Sequence, residues 1–319
     1  MRLIFDGEQE EKLHGDVFAE KFIGFINKDK DVVYLNCDLM EACAMGKLWK
    51  EFPENVYNCG ITEANMIGIA AGMQLVGKNV FAQTFGCFAT RRCFDQLFIS
   101  VAYAGLGMKL IGSDPGVCAS FNGGTHMPFE DLALMRAIPG AIVLDMSDGY
   151  MFDKLLDVVL DEPGLVYMRT TRKTFKKIYG EGWKFEVGGS ALLREGKDVV
   201  VFASGIMTAE ALSAAQILEQ QGISTSVVDM YSIKPLDSQR VREMASSAKI
   251  VITCDNHNII GGLGDAVASE MLEQRISRPF VKLGVKDKFG QVGPESYLME
   301  QFGLTSKDIA NAAVDALRA

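Results

Sequence analysis

Asn58-Cys-Gly-Ile-Thr-Glu-Ala-Asn-Met66 and the run that follows it, Ile67-Gly-Ile-Ala-Ala-Gly-Met-Gln-Leu-Val76, decide the fold. The first stretch predicts a strand end and a turn, and the second, rich in small and apolar residues, predicts a helix. Glu63 therefore stands near a helix N-terminus. There a carboxylate is favoured by the helix dipole, or it closes a capping box three residues after Gly60. Taken alone, this helix-stabilising role is the simpler interpretation of Glu63.

Strands and helices alternate on both sides of this segment. The first half of the chain predicts strands at 32–36, 56–58, 79–84, 108–112, 141–145 and 165–168, with helices at 16–27, about 88–104 and 154–160. Such alternation is typical of a parallel sheet that is covered by helices on both faces. The second half repeats the pattern on a smaller scale, with strands at 198–203, 224–229 and 249–254 and a helix at 208–221. The sequence therefore predicts an α/β fold of two consecutive open, mostly parallel-sheet domains.

A segment of different composition separates the two alternations. Residues 173–196 carry several lysines and glycines and show no sustained helical or strand period, which is typical of a linker. A chain of 319 residues is long enough for two domains of ordinary size. We therefore predict a first domain over residues 1–176, a linker over 177–196 and a second domain over 197–319.

The composition argues against several classes of function. A net charge of −9 disfavours non-specific nucleic-acid binding, which needs a basic face that displaces counterions. No run of about 18 apolar residues occurs, so no membrane span is expected, and the N-terminus lacks a signal-peptide pattern. The seven cysteines form no Cys-x-x-Cys pair and the three histidines lie far apart. We therefore expect no metal site in this chain, reduced thiols and a cytoplasmic location.

A glycine cluster in the second half, Gly261-Gly-Leu-Gly264, precedes a predicted helix. Its spacing differs from the Gly-x-Gly-x-x-Gly fingerprint of dinucleotide sites, so a tight turn is the better prediction. We expect the nearby His257 to close this turn or a domain interface rather than to touch a substrate.

Several segments, in order along the chain, carry a family resemblance. They are Gly60-Ile-Thr-Glu-Ala-Asn-Met66, Thr84-Phe-Gly-Cys-Phe88, Gly124-Thr-His126 with 130–139, then 228–237, 257–264, and 284–290 with 303–308. Together they resemble the C-terminal half of transketolase, most closely in the form that is split over two polypeptides. The resemblance implies a thiamine-diphosphate pyrimidine-binding domain followed by a transketolase C-terminal domain. It also implies a transferase that moves a two-carbon ketol unit from a ketose or ketose phosphate to an aldose.

The resemblance also implies a partner. In this family the other half of the enzyme holds Mg²⁺ and the diphosphate through a Gly-Asp-Gly motif with a downstream asparagine. This chain has no Gly-Asp-Gly, and Ser147-Asp-Gly149 lacks the matching asparagine pattern. We therefore expect an N-terminal transketolase subunit that supplies the Mg²⁺ ligands, a site shared between subunits, and an assembly with two copies of each chain.

Five side chains are candidates for cofactor binding: Glu63, Phe85, Phe88, Asp38 and Arg91. Glu63 matches the carboxylate that hydrogen-bonds N1′ of the thiamine pyrimidine and favours the imino form of its 4′-amino group. Phe85 and Phe88 match the rings that flank the pyrimidine, and core packing at a strand end is their alternative. Asp38 follows the predicted strand 32–36. Arg91 stands where transketolases often have a tyrosine, so stacking and phosphate contact both remain open.

Four residues are candidates for substrate contact: His126, Asn122, Asp114 and Arg169. His126, the second catalytic candidate beside Glu63, matches a histidine that faces the reacting carbons, with a structural role as its alternative. Asp114 stands where common transketolases have a histidine, and Asn122 lies in a loop where they are often acidic. Arg169 matches an arginine that binds sugar phosphate, and an interdomain salt bridge is an equal alternative. Because a carboxylate repels phosphate, we expect a differently placed phosphate, an unphosphorylated sugar or another anionic group.

Two other functions share this fold. One is the β subunit of a 2-oxo acid dehydrogenase, which carries out oxidative decarboxylation with a lipoyl acceptor, and lipoamide-dependent activity would identify it. The other is a non-catalytic structural partner, which the intact set Glu63, Phe85, Phe88 and His126 disfavours. Deoxyxylulose-phosphate synthase fits less well because it is normally one long chain.

Overall fold

Twelve strands form two sheets in the computed structural model, which describes residues 1–319. The strands are β1 (Val32–Asn36), β2 (Val56–Asn58), β3 (Asn79–Phe85), β4 (Met108–Ser113), β5 (Ile142–Asp145), β6 (Leu165–Thr170), β7 (Ala191–Arg194), β8 (Val199–Ala203), β9 (Thr225–Asp229), β10 (Ser232–Lys234), β11 (Ile250–Asn258) and β12 (Phe280–Val285). The first sheet has the order β10-β5-β6-β4-β3-β1-β2 and the second has the order β12-β11-β8-β9-β7. Only β10 and β7, each at a sheet edge, are antiparallel to their neighbours. The predicted α/β fold of two mostly parallel sheets is therefore confirmed.

Helices connect these strands. They are α1 (His14–Lys28), α2 (Gly46–Glu51), α3 (Glu63–Leu75), α4 (Gly86–Thr90), α5 (Phe94–Gln96), α6 (Asp131–Ala137), α7 (Gly149–Val159), α8 (Met207–Glu219), α9 (Ser238–Ser247), α10 (Leu263–Glu273), α11 (Glu295–Phe302) and α12 (Ser306–Arg318), with a π-helix over Leu97–Tyr103 and 3₁₀ turns over Gly116–Asn122 and Gly124–His126. Both faces of the central strands are covered. In β1, Val32 and Tyr34 belong to one buried apolar cluster, whereas Val33 and Leu35 belong to the other.

One predicted helix is wrong. The segment 88–104 is not a single helix but α4, a turn, α5 and the π-helix. The interruption lies at Cys93, whose φ of −132° and ψ of 21° leave the helical region. The Cys93 thiol contacts the carbonyl oxygens of Phe88 and Ala89, which holds the break in place. The break places the turn that carries Arg91 and Arg92 next to the site described below.

The two domains are joined by more than the linker. Strand β10 belongs to the second half of the sequence but pairs with β5 at the edge of the first sheet. Within the predicted linker, β7 pairs with β9 and so extends the second sheet. Arg136 donates to the carbonyl oxygens of Gly261 and Gly262, so the predicted tight turn packs against the first domain. The exact boundaries 1–176, 177–196 and 197–319 stay a prediction.

The parallel order brings six strand ends to one edge of the first sheet. In register, Phe85 at the end of β3 lies beside Ser113, and Ser113 lies beside Thr170. Residues just beyond β1 to β6 therefore meet at this edge, where open α/β sheets place their ligands. All seven cysteines are free thiols, and no helix combines the length and apolar character that crossing a membrane requires.

Candidate active site

Glu63 is the first residue of α3 and is almost fully buried, with 2% of its surface exposed. The preceding turn uses Gly60 at φ 71°, a left-handed conformation that glycine adopts without strain. Both carboxylate oxygens of Glu63 accept from Nη1 of Arg92, each at 2.9 Å. The capping-box alternative is not what forms, because the carboxylate contacts this arginine and no backbone amide of its helix.

Three aromatic rings lie beside this ion pair. The Phe85 and Phe88 ring centroids are 6.1 Å apart, and the His126 imidazole stands edge-on to them at 5.9 and 5.2 Å. The Arg92 guanidinium lies 3.9 Å above the Phe88 ring, so it links these rings to Glu63. The structure thus brings together four of the residues that the sequence singled out. We call Phe85, Phe88 and His126 the aromatic cluster.

Arg91 holds the loop that carries His126. Its Nε pairs with Glu130 at 2.8 Å and its Nη2 donates to the Thr125 carbonyl oxygen at 3.1 Å. Thr125 in turn contacts Nδ1 of His126 through its hydroxyl at 2.9 Å. Arg91 therefore positions the histidine loop in this structure, and the stacking that the sequence left open for it is made by Arg92. Asn122, at the start of the same loop, is exposed.

Asp38 and Asp114 stand immediately beyond the parallel strands, in left-handed backbone conformations with φ of 60° and 56°. Asp38 is exposed and exchanges hydrogen bonds with Asn58 at the end of β2. Asp114 is 1% exposed and pairs with Nε of Arg172 at 2.5 Å. The Arg172 guanidinium lies 5.0 Å from the Phe85 ring centroid. A second arginine–carboxylate pair thus borders the aromatic cluster.

The structure corrects the substrate assignment of Arg169. This side chain is 1% exposed, and Nε and Nη1 pair with Asp131 at 2.9 Å and Asp145 at 3.3 Å. Its Nη2 donates to the carbonyl oxygen of Asn256 in the second domain at 2.6 Å. Burial opposes the charge, but the two carboxylates outweigh it and raise the pKa of Arg169. These contacts match the interdomain alternative and leave the guanidinium no free face for a sugar phosphate.

Two further groups serve the fold. His257 is fully buried, with its Nδ1 at 2.7 Å from the Asn258 carbonyl oxygen and its Nε2 at 3.4 Å from the Ala133 amide. Burial lowers the pKa of His257 to about 4, so it is a neutral interface residue, as expected. Asp148 caps α7 by accepting from the Met151 amide, and burial raises its pKa to about 6.

Sequence reasoning missed Arg92 and Arg172, which border the aromatic cluster. Arg92 is adjacent to Arg91, and a one-residue step along the turn decides which of the two faces Glu63. Arg172 lies three residues beyond Arg169, and the sequence analysis assigned substrate contact to Arg169 instead. No periodicity separates these pairs of arginines, and the only available signal was a cation close to the end of a predicted strand.

This chain has no group of three or more potential metal ligands. A planar heterocycle suits the aromatic cluster better, because flat rings position it by stacking. The buried Glu63 carboxylate would meet such a ring with a charged acceptor. Fold and site together define a two-domain α/β protein with a buried carboxylate and an aromatic cluster at the carboxyl edge of its first sheet.

Comparison with known proteins gives the family. The transketolase pyrimidine-binding domain model matches residues 14–177 and the transketolase C-terminal domain model matches residues 188–309. The chain therefore belongs to the transketolase family. It is 42% identical to a 6-deoxy-6-sulfo-D-fructose transketolase subunit of Clostridium sp. (strain MSTE9), over 97% of this chain and 96% of that one.

Other relatives show which part of the enzyme this chain represents. Human transketolase is 32% identical over 82% of this chain but only 42% of its own length. A solved split-gene transketolase, described as an inactive β4 tetramer, superposes with a TM-score of 0.87 at 36% identity, covering 96% of this chain and 98% of that one. The predicted resemblance to the C-terminal part of a split transketolase is confirmed, and with it the transferase class.

Proposed function

We propose that this chain is the C-terminal subunit of a thiamine-diphosphate-dependent transketolase that works with an N-terminal partner subunit. The observation that carries the proposal is the buried Glu63 carboxylate at the start of α3, linked through Arg92 to the rings of the aromatic cluster. The 2-oxo acid dehydrogenase alternative is not favoured, because relatives that are 42% and 34% identical to this chain are named as a transketolase subunit and a putative transketolase C-terminal section.

The cofactor would lie against this chain through its pyrimidine. When bound, it supplies the nucleophilic carbon with which a ketose is cleaved and its ketol unit transferred. Phe85 and Phe88 would offer ring faces to the pyrimidine, and Glu63 would accept a hydrogen bond from its N1′ in a site where burial strengthens that bond. For this contact the carboxylate must exchange Arg92 for the ligand. Asp38, exposed at the same edge, borders the cofactor site.

His126 is the residue we propose to act on the sugar. Its imidazole stands edge-on to both phenylalanine rings, and its Nε2 makes no hydrogen bond within the chain, whereas Nδ1 is held by Thr125. Nε2 can therefore donate to, or accept from, a sugar hydroxyl as charge develops on it. Asn122 in the same loop is proposed to contact the sugar through its amide.

A second chain would complete the site. The edge is rimmed by large apolar side chains that are mostly exposed, namely Ile61 at 71%, Phe121 at 70%, Phe289 at 96% and Val292 at 66%. Exposed apolar residues around a polar site are typical of a surface that another protein covers. We propose that the N-terminal subunit covers it, provides the Mg²⁺ ligands and the diphosphate site, and assembles with two copies of each chain.

The substrate is proposed to be a ketose whose far end carries an acidic group. One relative is named for 6-deoxy-6-sulfo-D-fructose and another, 30% identical, for apulose 4-phosphate. Both names describe sugars with an anionic group remote from the ketol carbons. The ketose donor that this enzyme uses is proposed to belong to the same chemical class. The enzyme is proposed to act in the cytoplasm.

Calorimetric titration tests the proposal directly. Thiamine diphosphate with Mg²⁺ is titrated into this chain alone, into the complex with its N-terminal subunit, and into the complex carrying Glu63→Gln. We expect no binding to the isolated chain, tight binding to the complex, and ketol transfer from a ketose to an aldose by the loaded complex. Tight binding by the isolated chain, or lipoamide-dependent oxidation in place of ketol transfer, would contradict the proposal.

A further inference from the structure

Arg172 and Asp114 form a fixed pair beside the aromatic cluster. One Asp114 oxygen accepts from Arg172 Nε at 2.5 Å, and the other accepts from the Thr171 hydroxyl at 3.2 Å and the Arg172 amide at 3.3 Å. All three donors come from the segment that follows β6, so the buried carboxylate is locked to that segment. The guanidinium is held by its Nε edge, which leaves both Nη groups without a hydrogen-bond partner in the chain.

Arg172 and His126 both contact the Phe85 ring. The Phe85 ring has the His126 imidazole 5.9 Å from its centroid and the Arg172 guanidinium carbon 5.0 Å from it. A ligand whose reacting carbons meet His126 would extend past Phe85 toward the free Nη groups. Arg172 keeps 26% of its side chain exposed to solvent.

The charge at this position is nearly balanced. Besides the ion pair, Lys173 donates to the Cys118 carbonyl oxygen at 3.3 Å, and the Glu295 carboxylate interacts electrostatically with Lys173 and Asp114. Two cations and two carboxylates give no excess of positive charge. A phosphate monoester above pH 7 carries close to two negative charges and would lie next to the Asp114 carboxylate. A group with one negative charge still gains the guanidinium hydrogen bonds and meets about half of that repulsion.

We propose that the Arg172–Asp114 pair is the subsite for the non-reacting end of the sugar and that it selects a singly charged terminal group, of the sulfonate class, over a phosphate dianion. Arg172 supplies the hydrogen bonds, and Asp114 is the specificity-determining residue because it offsets the arginine's charge. This inference rests on the proposed ketol-transfer function. It differs from the sequence-based hypothesis by naming Arg172, in place of Arg169, as the cation.

The test compares three ketose donors that differ only at C6: 6-deoxy-6-sulfofructose, fructose 6-phosphate and fructose. The holoenzyme with its partner subunit is assayed at pH 8, and kcat/KM is measured for each donor. We expect the sulfonate to be preferred over the phosphate. Asp114→Asn, which removes the charge and keeps the shape, is expected to shift the sulfonate-to-phosphate ratio toward phosphate by about tenfold. Asparagine also tolerates the left-handed backbone at this position.

Two further variants make the result specific. Arg172→Gln is expected to lower kcat/KM for both anionic donors toward that for fructose, through KM rather than kcat. Asp157→Asn removes a carboxylate from the surface pair with Lys21 and should leave the ratio unchanged. A wild-type preference for phosphate, or a ratio that Asp114→Asn does not change, overturns this inference while ketol transfer persists. Absence of ketol transfer from every donor overturns the proposed function itself.

Discussion

Arginine–carboxylate pairs occur both at the edge of the first sheet and beneath it, and they differ in how the cation is held. The edge pairs, Arg92–Glu63 and Arg172–Asp114, join a buried carboxylate to an arginine that is 45% or 26% exposed. The buried network joins Arg169, 1% exposed, to Asp131 and Asp145. A cation with solvent on one side can exchange its partner for a ligand, whereas Arg169 cannot move without leaving two carboxylates unpaired in a low-dielectric interior.

The two edge pairs also differ from each other. Arg92 provides the only hydrogen bonds of the Glu63 carboxylate, both through one Nη atom. Asp114 has the Thr171 hydroxyl and a backbone amide in addition to its arginine. Glu63 can therefore be released to a ligand by the movement of one side chain, while Asp114 stays in place and modulates the arginine beside it. The pairs differ in function because they differ in the number and origin of their donors.

The largest effect is expected from Glu63→Gln. The amide keeps the size of the side chain but cannot carry the charge that favours a protonated pyrimidine ring, so kcat for ketol transfer should fall by about 10²–10⁴-fold. Thermal stability should change little, because the lost partner is a half-exposed arginine. The measurement is ketol transfer by the complex with its partner. Glu51→Gln, in a surface pair with Lys47, is the control and should retain activity. Equal activity in both variants would make Glu63 only a helix-stabilising residue.

Arg169→Gln should produce the next largest effect, on stability. Removing the cation leaves Asp131 and Asp145 buried without a counter-charge, which costs about 3–5 kcal/mol in the free energy of unfolding. Chemical denaturation of the chain measures it. Arg194→Gln, which breaks a surface pair with Glu219, is the matched control and should cost less than about 1 kcal/mol. Similar costs for the two variants would mean that burial does not distinguish the two kinds of pair.

The sequence predicted those site residues whose position is set by the end of a strand or the start of a helix. Glu63, Phe85 and His126 follow from the order of strands and turns and from family motifs, and the structure brings them together. Arg169 was a candidate for substrate contact because it matches a family arginine, and an interdomain salt bridge was its alternative. The predicted strand ended at 168, whereas β6 continues to Thr170, so Arg169 lies within a fully buried strand and makes contacts of the second kind.

The arginines at the edge could not be predicted for a different reason. Their function depends on where a flexible side chain points after a turn. No hydrophobic periodicity in the sequence signals the helix break at Cys93, which directs Arg92 toward Phe88. The sequence also could not predict that β10, from the second half of the chain, joins the sheet of the first domain. Its three residues pair with a strand about ninety positions away. Local sequence patterns predict the helices and strands, whereas the arginine–carboxylate pairs depend on tertiary contacts.

Stability should depend on pH through the buried acids near the network. Asp229 accepts from the Tyr179 hydroxyl at 2.7 Å, and burial raises its pKa to about 7. Between the unfolded pKa near 4 and this value, the folded state holds a proton that the unfolded chain has lost, so stability falls as pH rises. From pH 5 to 8, Asp229 should account for a loss of about 3 kcal/mol, which Asp229→Asn removes. Asp198→Asn, at an acid whose pKa is lowered, should keep the wild-type slope.

Arg92→Gln should have the smallest effect on stability. It tests most directly whether an edge pair can be displaced by a ligand. Because Arg92 is nearly half exposed, losing its pair with Glu63 should change the free energy of unfolding by less than about 1 kcal/mol, against the larger cost at Arg169. If Arg92 only occupies the Glu63 carboxylate until a ligand replaces it, its removal should tighten thiamine diphosphate binding to the complex by about threefold, measured calorimetrically. Arg92→Lys, which keeps a cation, should bind the cofactor like the wild type. Weaker binding in Arg92→Gln would instead mean that the arginine contacts the cofactor, and the pair would then be a fixed part of the site, like Arg172–Asp114.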